Sequence, residues 1–560
     1  MARVTFANQG LQVQVEEGTT IIRAAKLLGI TIEAPCNGEG TCGKCKVRIA
    51  KEDLGAVEFR DPKGRITAEE RQQGYVLACQ SVIRGDATVY YESTEKQNES
   101  LKILQEGTRF QVEIDPAIQK EVRTAQEVST CVLVDGKPAG EEKGDTVQAL
   151  YGVSIDIGTT TVVSSLIDLN TGQELGSVSA LNPQSLQAQD VLTRIKFAST
   201  PEGLQEMYDC ITAEFNRMIG SLCSKAGIAR ENIYEVVYSG NTTMIHLAGG
   251  YDPKSLGKYP YIPVTRGAHC VPAAEGKLNI SPFGRIYYPP IISSFVGPDI
   301  TSGVLATQLE KAKKTTLFID IGTNGEMVIA KDGVLSATSA AAGPAFEGMN
   351  ITFGMRAGDG AIESFSIGED GQIRISVIGG TKPEGICGSG LFDVTGELIR
   401  WGIITKNGRF VKKEKLPEDH PLADRLTTYN GKPAFLIAEE VYLTISDIRQ
   451  IQLAKGAVLS GVIALMQSLQ VSEDEVEDVL VAGSFGYHLR EESLMNVAIF
   501  PEGFRGKIRF VGNTSRTGAE AFLLNQGTRT YMERVASSVR SVELADQPGF
   551  NDLFVKSLQF

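Results

Sequence analysis

The chain has 560 residues, 42% hydrophobic and 22% charged, with a formal net charge of −13. That length exceeds one ordinary core and predicts three or four domains of roughly 150 residues each. The acidic balance argues against a nucleic-acid partner, because neutralising phosphates takes clustered Lys and Arg.

The first twenty residues alternate apolar and polar, which predicts a strand hairpin across Gly10 and not a signal peptide. Ile21, Ile22, Ala25 and Leu28 fall at helical spacing. A cysteine-bearing loop follows, then a strand over Lys46–Ile49, and a closing strand is expected over 87–91. No apolar run reaches the ~18–20 residues that span a bilayer, so the expectation is a cytoplasmic protein without a membrane partner.

Nine cysteines are an odd count for a secreted disulfide framework. Five are scattered (Cys131, Cys210, Cys223, Cys270 and Cys387), but Cys36, Cys42, Cys45 and Cys79 form C-x5-C-x2-C-x33-C. The loop PCNGEGTCGKC supplies Gly38, Gly40 and Gly43, which let a backbone wrap tightly and turn its amides toward sulfur. Four thiolates also suit Zn²⁺, yet zinc ribbons favour two C-x2-C knuckles and this chain has one. The pattern therefore points to a [2Fe–2S] cluster on these four cysteines. It resembles the plant-type ferredoxin domain, with one extra residue in the first gap, as in adrenodoxin-like proteins.

Residues 93–150 read as a linker region whose later part can form a small connecting unit of unassigned fold. ESTEKQNES is polar and poor in core residues, and 136–144 looks like a turn-rich surface piece. From 151 an internal repeat appears. VSIDIGTTTVVSSLID and LFIDIGTNGEMVIAKD lie about 164 residues apart, each a buried strand, a tight turn and a second strand. The turns carry Asp156 with Gly158, Thr159, Thr160 and Thr161, and Asp320 with Gly322, Thr323 and Asn324. Glycine lets such a turn approach phosphate oxygens, hydroxyls and amides donate to them, and the aspartate can hold Mg²⁺ through water. Further on, VLVAGSFGYHL is a buried strand ending in a turn with Gly483, Ser484 and Gly486. A helix is expected over 446–469, capped by Ser446, with Arg449, Gln452 and Lys455 either edging a nucleotide pocket or on a solvated face. Gly518 and Ala519 would let another helix pack closely. The small, hydroxyl-rich segment 336–348 suits either the close approach of a flat ligand face or a turn under the phosphates.

In this order the parts resemble the actin/Hsp70/sugar-kinase ATPases: phosphate 1 at 156–161, phosphate 2 at 320–324, adenosine at Gly483, Ser484 and Gly486. Adding ISSFVGPDITSG, AAAGPAFEG and GICGSGLFD, nearly the whole chain resembles the reductive activators of corrinoid proteins. The resemblance implies a multidomain α+β and α/β protein. Its parts are a β-grasp ferredoxin domain (1–92), a linker region (93–150) and duplicated ribonuclease H-like ATPase domains (151–312 and 313–560). It implies an ATP-hydrolysing iron–sulfur enzyme with a [2Fe–2S] cluster, ATP and Mg²⁺, which returns a Co(II) corrinoid to Co(I). The partners would be a corrinoid-containing methyltransferase protein and an external electron donor, with room for a homodimer. Two alternatives stay open: an activator of a 2-hydroxyacyl-CoA dehydratase, and a redox-sensing regulatory ATP-binding protein.

Overall fold

The computed structural model describes residues 1–30, 32, 34, 38–40, 43–91, 112–124, 127–483 and 489–560. Cys36, Cys42, Ser484 and Gly486 lie outside them.

At the N-terminus Ala2–Phe6 and Leu11–Val15 pair as the expected hairpin, and Ala2–Phe6 also pairs parallel with Ala87–Tyr90. Lys46–Ile49 and Tyr75–Leu77 complete a five-stranded sheet. The helix Ile21–Leu27 buries Ile21, Ala24 and Ala25 against it, which is the β-grasp arrangement. The linker region contains a small folded unit. Ile118–Thr124, Val128–Val134 and Lys137–Lys143 form a three-stranded antiparallel sheet. The stretch read as turn-rich is thus largely an exposed strand. Its tight turn is confined to Asp135 and Gly136, both at positive φ, the geometry that suits a two-residue hairpin.

The repeat becomes two six-stranded sheets that share the order of five strands and carry the sixth at opposite edges. In the first lobe Tyr151–Ile157 is antiparallel to Thr161–Asp168 and parallel to Ile233–Gly240. In the second lobe Thr316–Ile321 is antiparallel to Gly325–Lys331 and parallel to Asp478–Ala482. Each aspartate-glycine turn is therefore a hairpin tip beside the end of a parallel strand. Where the lobes meet, the helices Pro298–Thr307 and Thr514–Leu524 cross. The crossing is close because position 518 is glycine: a Cβ there would stand 2.1 Å from the Ser302 carbonyl oxygen. Ser239 Oγ links the same place, bonded to Ser302 Oγ at 3.0 Å and Ser515 Oγ at 2.8 Å.

The long second-lobe helix runs Ile445–Ser468. Its cap is Thr444 and not Ser446. Thr444 Oγ1 accepts from the Asp447 amide while Asp447 accepts in return, a capping box that Ser446 lies too far inside to form. By length and composition this helix is apolar enough to cross a membrane, contrary to the sequence expectation, yet most of it is buried in the lobe. It is apolar nearly all round because it is a core helix. Its polar residues do not edge the cleft. Gln452 donates to the Leu558 carbonyl at 2.9 Å and Lys455 to the Gln559 carbonyl, so these two serve C-terminal packing, while Arg449 stays exposed and donates to Gln452 at 3.0 Å.

Candidate functional site

The two hairpin tips face each other across a cleft of about 250 Å³. From the first lobe Asp156, Gly158, Thr159, Thr160 and Thr161 line it. From the second come Asp320, Gly322, Thr323, Asn324 and Gly483, the last at the end of the strand Asp478–Ala482. Every described residue expected at a nucleotide site is therefore in one place.

Local chemistry explains the shape of the tips. The Gly158 amide donates to the Thr161 carbonyl at 3.0 Å, and a Cβ on residue 158 would stand 2.5 Å from that oxygen, so only glycine closes the turn. Asn182 donates to the Gly158 carbonyl at 2.8 Å, and Asn241 to Thr159 Oγ1 at 3.3 Å. Behind the turn the fully buried Arg194 donates to the Thr159 carbonyl at 2.6 Å and the Ala188 carbonyl at 3.0 Å. Burial lowers its guanidinium to about 10, still far above neutral, so the turn has a fixed positive charge at its back. In the second tip the Gly322 amide donates to the Asn324 carbonyl at 2.8 Å, and Thr323 donates to Glu347. Segment 336–348 is accordingly a strand end and a turn beneath this tip, tied to it by the Gly343 amide on the Thr323 carbonyl at 2.8 Å.

Sequence reading missed four residues. Asp299, on the first turn of the helix Pro298–Thr307, and Glu326, two residues past the second tip, both line the cleft. Asn513 and Ser515, where the helix Thr514–Leu524 begins, donate to the two oxygens of Asp156 at 2.8 and 2.7 Å. Both acids stood inside recognised motifs, ISSFVGPDITSG and FIDIGTNGE, but nothing in those strings marks which acid turns inward.

Four carboxylates converging in one cleft cannot all ionise unaided. Burial and then the charge of Asp156 push Asp320 up to about 7. Burial and the charge of Asp320 push Asp299 upward, and burial with the charges of Asp299 and Asp320 pushes Glu326 well above the usual carboxylate range. Burial raises Asp156 as well, opposed by the Ser515 and Asn513 hydrogen bonds. A hard divalent cation relieves this repulsion, and an all-oxygen donor set fits Mg²⁺.

The arrangement predicts a pH signature in the metal-free protein. The folded chain keeps the Asp320 proton up to about 7, whereas the ordinary aspartate value is 3.8. The stability this gives is complete below the ordinary value and is lost as pH rises through about 7. Each unit is worth about 1.4 kcal/mol, so Asp320→Asn, which never ionises, should exceed wild type by a few kcal/mol in urea unfolding near pH 8 without Mg²⁺. The advantage should shrink toward pH 5 and on adding Mg²⁺. A difference flat with pH would contradict the clustering of charge.

In the N-terminal domain the described pair, Cys45 and Cys79, is buried with Sγ atoms 3.2 Å apart and no disulfide. The loop glycines 38, 40 and 43 all have positive φ, and the Gln80 side chain donates to the Gly38 carbonyl, pinning the loop over the pair. Two reduced sulfurs this close inside a wrapped loop fit ligation of one metal centre.

Comparison with known proteins identifies the domains. Residues 4–84 match the 2Fe-2S iron-sulfur cluster binding domain, 151–312 the RACo middle region, and 314–560 the C-terminal domain of RACo, the ASKHA domain. A solved structure, a reductive activator for corrinoid,iron-sulfur protein, superposes with a TM-score of 0.75 at 31% identity, covering 100% of this chain and 98% of that one. The chain belongs to the family of reductive activators of corrinoid proteins. The corrinoid activation enzyme RamQ of Eubacterium limosum is 29% identical over 100% of this chain and 99% of its own length. The [Co(II) methylated amine-specific corrinoid protein] reductase of Methanosarcina barkeri is 25% identical over 73% and 77%. As a reductive activator the chain is an enzyme, with a [2Fe–2S] domain ahead of an ASKHA ATPase fold. The dehydratase-activator and redox-sensor alternatives give way to this membership.

Proposed function

We propose that the chain uses ATP to drive one electron onto the Co(II) of a corrinoid-containing methyltransferase protein, giving Co(I). The observation that carries this reading is the pair of facing hairpins with Asp156 and Asp320 across one cleft, in a chain that also holds the Cys45–Cys79 pair.

The roles divide as follows. Gly158–Thr161 and Gly322–Asn324 present amides and hydroxyls to the phosphates from opposite sides. Asp156 and Asp320 hold Mg²⁺, with Asn513 and Ser515 orienting Asp156. Gly483 frames the adenosine side, together with Ser484 and Gly486 outside the described residues. Cys45 and Cys79, with Cys36 and Cys42 outside the described residues, hold the cluster. The division of labour follows residues 1–92, 93–150, 151–312 and 313–560. When bound, a plant-type cluster supplies an electron near −400 mV.

Energetics explain why an ATPase belongs here. For one electron about 59 mV is a tenfold change in equilibrium. An acceptor a few hundred millivolts lower therefore opposes transfer by several kcal/mol, within reach of coupling to ATP. An external donor reloads the chain between turnovers. A cytoplasmic site of action and a homodimer complete the reading. The testing experiment is the ATP-dependent appearance of Co(I) in a Co(II) corrinoid protein mixed with the reduced chain.

A further inference from the structure

The ferredoxin-like domain is seated across the mouth of the nucleotide cleft and touches both lobes. On the second lobe, Lys44, the residue before Cys45, donates to the Gly354 carbonyl at 2.8 Å and the Thr352 carbonyl at 3.3 Å. Glu70 lies near enough for its charge to act on the Tyr429 phenol. Toward the first lobe, Ile32 closes a small cavity with Thr159, Thr160, Ser185 and Gln189, while Met349 and Arg356 enter it from the second. Lys26, on the helix Ile21–Leu27, is desolvated where it faces the first lobe, and the Glu206 carboxylate acts on it electrostatically.

These contacts share walls with the nucleotide site. Thr159, Thr160 and Arg356 line both the cleft and the Ile32 cavity. The lip that receives Lys44 is tied to the cleft wall. The Met355 amide donates to the Ile386 carbonyl at 2.9 Å and the Ile386 amide to the Phe353 carbonyl at 2.8 Å, and Ile386 leads directly to Cys387, Gly388 and Ser389 on the cleft. Thr352 is held in turn by Asp447, amide to Oδ1 at 2.7 Å. The lip therefore moves with the second lobe, and the Thr159–Thr160 turn with the first.

We propose that this seat is a resting dock for the cluster domain, and that closure of the lobes on Mg²⁺·ATP releases it. A small folded domain anchored to two bodies fixes their separation. Drawing the phosphate turns together around a nucleotide changes that separation, so the Lys44 contact with the second lobe and the Ile32 contact with the first cannot both persist. Lobe closure is a two-state hinge, and a ligand favouring the closed state disfavours whatever requires the open one. By reciprocity the docked domain weakens nucleotide binding by the same factor. ATP would thus act twice in one cleft, gripped by the hairpins and freeing the cluster domain to meet its partner. The inference rests on the nucleotide reading of the cleft.

Photo-cross-linking of Lys26 to Glu206 with a short amine-reactive diazirine reagent, read by peptide mass spectrometry on the full holoprotein, tests it. A non-hydrolysable ATP analogue with Mg²⁺ serves as the probe, and its binding is measured separately. The expected result is a Lys26–Glu206 link without analogue that falls several-fold at saturation. Lys44→Ala should lower the link without nucleotide and tighten analogue binding several-fold. Analogue that binds without changing the link, or a Lys44→Ala protein unchanged in both measurements, overturns the dock. Failure of the analogue to bind at all overturns the nucleotide reading, and the dock with it.

Discussion

Alanine at Asp156 or Asp320 should abolish ATP-dependent activity and leave the electron paramagnetic resonance of the reduced cluster intact. Each aspartate sits at a hairpin tip on its own lobe, and both line the same cleft. Removing either deletes one half of the proposed cation site while every amide of its turn remains. Electrostatic stabilisation of a transferring phosphoryl group is usually the largest single contribution to catalysis, and one lost group costs about 10²–10³-fold in rate. Two groups acting as a unit lose nearly everything when either is removed. The cluster domain has its own core, centred on Val4, Phe6, Val47, Leu77 and Val89, so its spectrum should not respond. Steady-state ATP hydrolysis alongside the spectrum decides the matter. Unchanged turnover in both variants would mean that the turns do not bind phosphate.

The second large effect concerns the sulfurs. Cys45→Ala or Cys79→Ala should eliminate the [2Fe–2S] signal, with two irons per chain falling toward none, and should abolish electron delivery while nucleotide binding persists. The two Sγ atoms stand 3.2 Å apart in a buried pocket, and losing one leaves the other without its neighbour across the metal. A thiolate cluster cannot keep four-coordinate irons with three cysteines. Iron analysis and low-temperature resonance spectra check this. Two irons retained in both variants would remove these cysteines from the ligand set.

Much of this was readable from residues because the informative features are local and repeated. The two Asp-Ile-Gly-Thr turns each state a strand, a glycine whose amide closes on a carbonyl and an acid near the tip, and the lobes place them facing as the repeat implied. The strand Lys46–Ile49 lies where its pattern put it. What was illegible depends on distant partners. Asp299 and Glu326 look like any acid in a glycine-rich string, and only the fold turns them to the cleft. The sheet over 118–143 hides in a polar stretch because one of its strands, Lys137–Lys143, is exposed along most of its length. Arg449, Gln452 and Lys455 have a polar spacing that suits a pocket, but the C-terminal residues cover Gln452 and Lys455, and Arg449 faces solvent. The seat of the cluster domain was invisible because Lys44 recognises backbone carbonyls more than three hundred positions away, and carbonyls carry no sequence signature.

The account stands or falls on one observation in solution. The reduced holoprotein is mixed anaerobically with a corrinoid protein in its Co(II) state, and the visible spectrum is followed with and without Mg²⁺·ATP. The account predicts that the Co(I) band grows only when ATP is present, that the Co(II) band decays in step, and that neither changes with the Asp320→Ala chain. Co(I) formed equally well without ATP, or Co(II) that persists while ATP is hydrolysed, would contradict ATP-driven reduction.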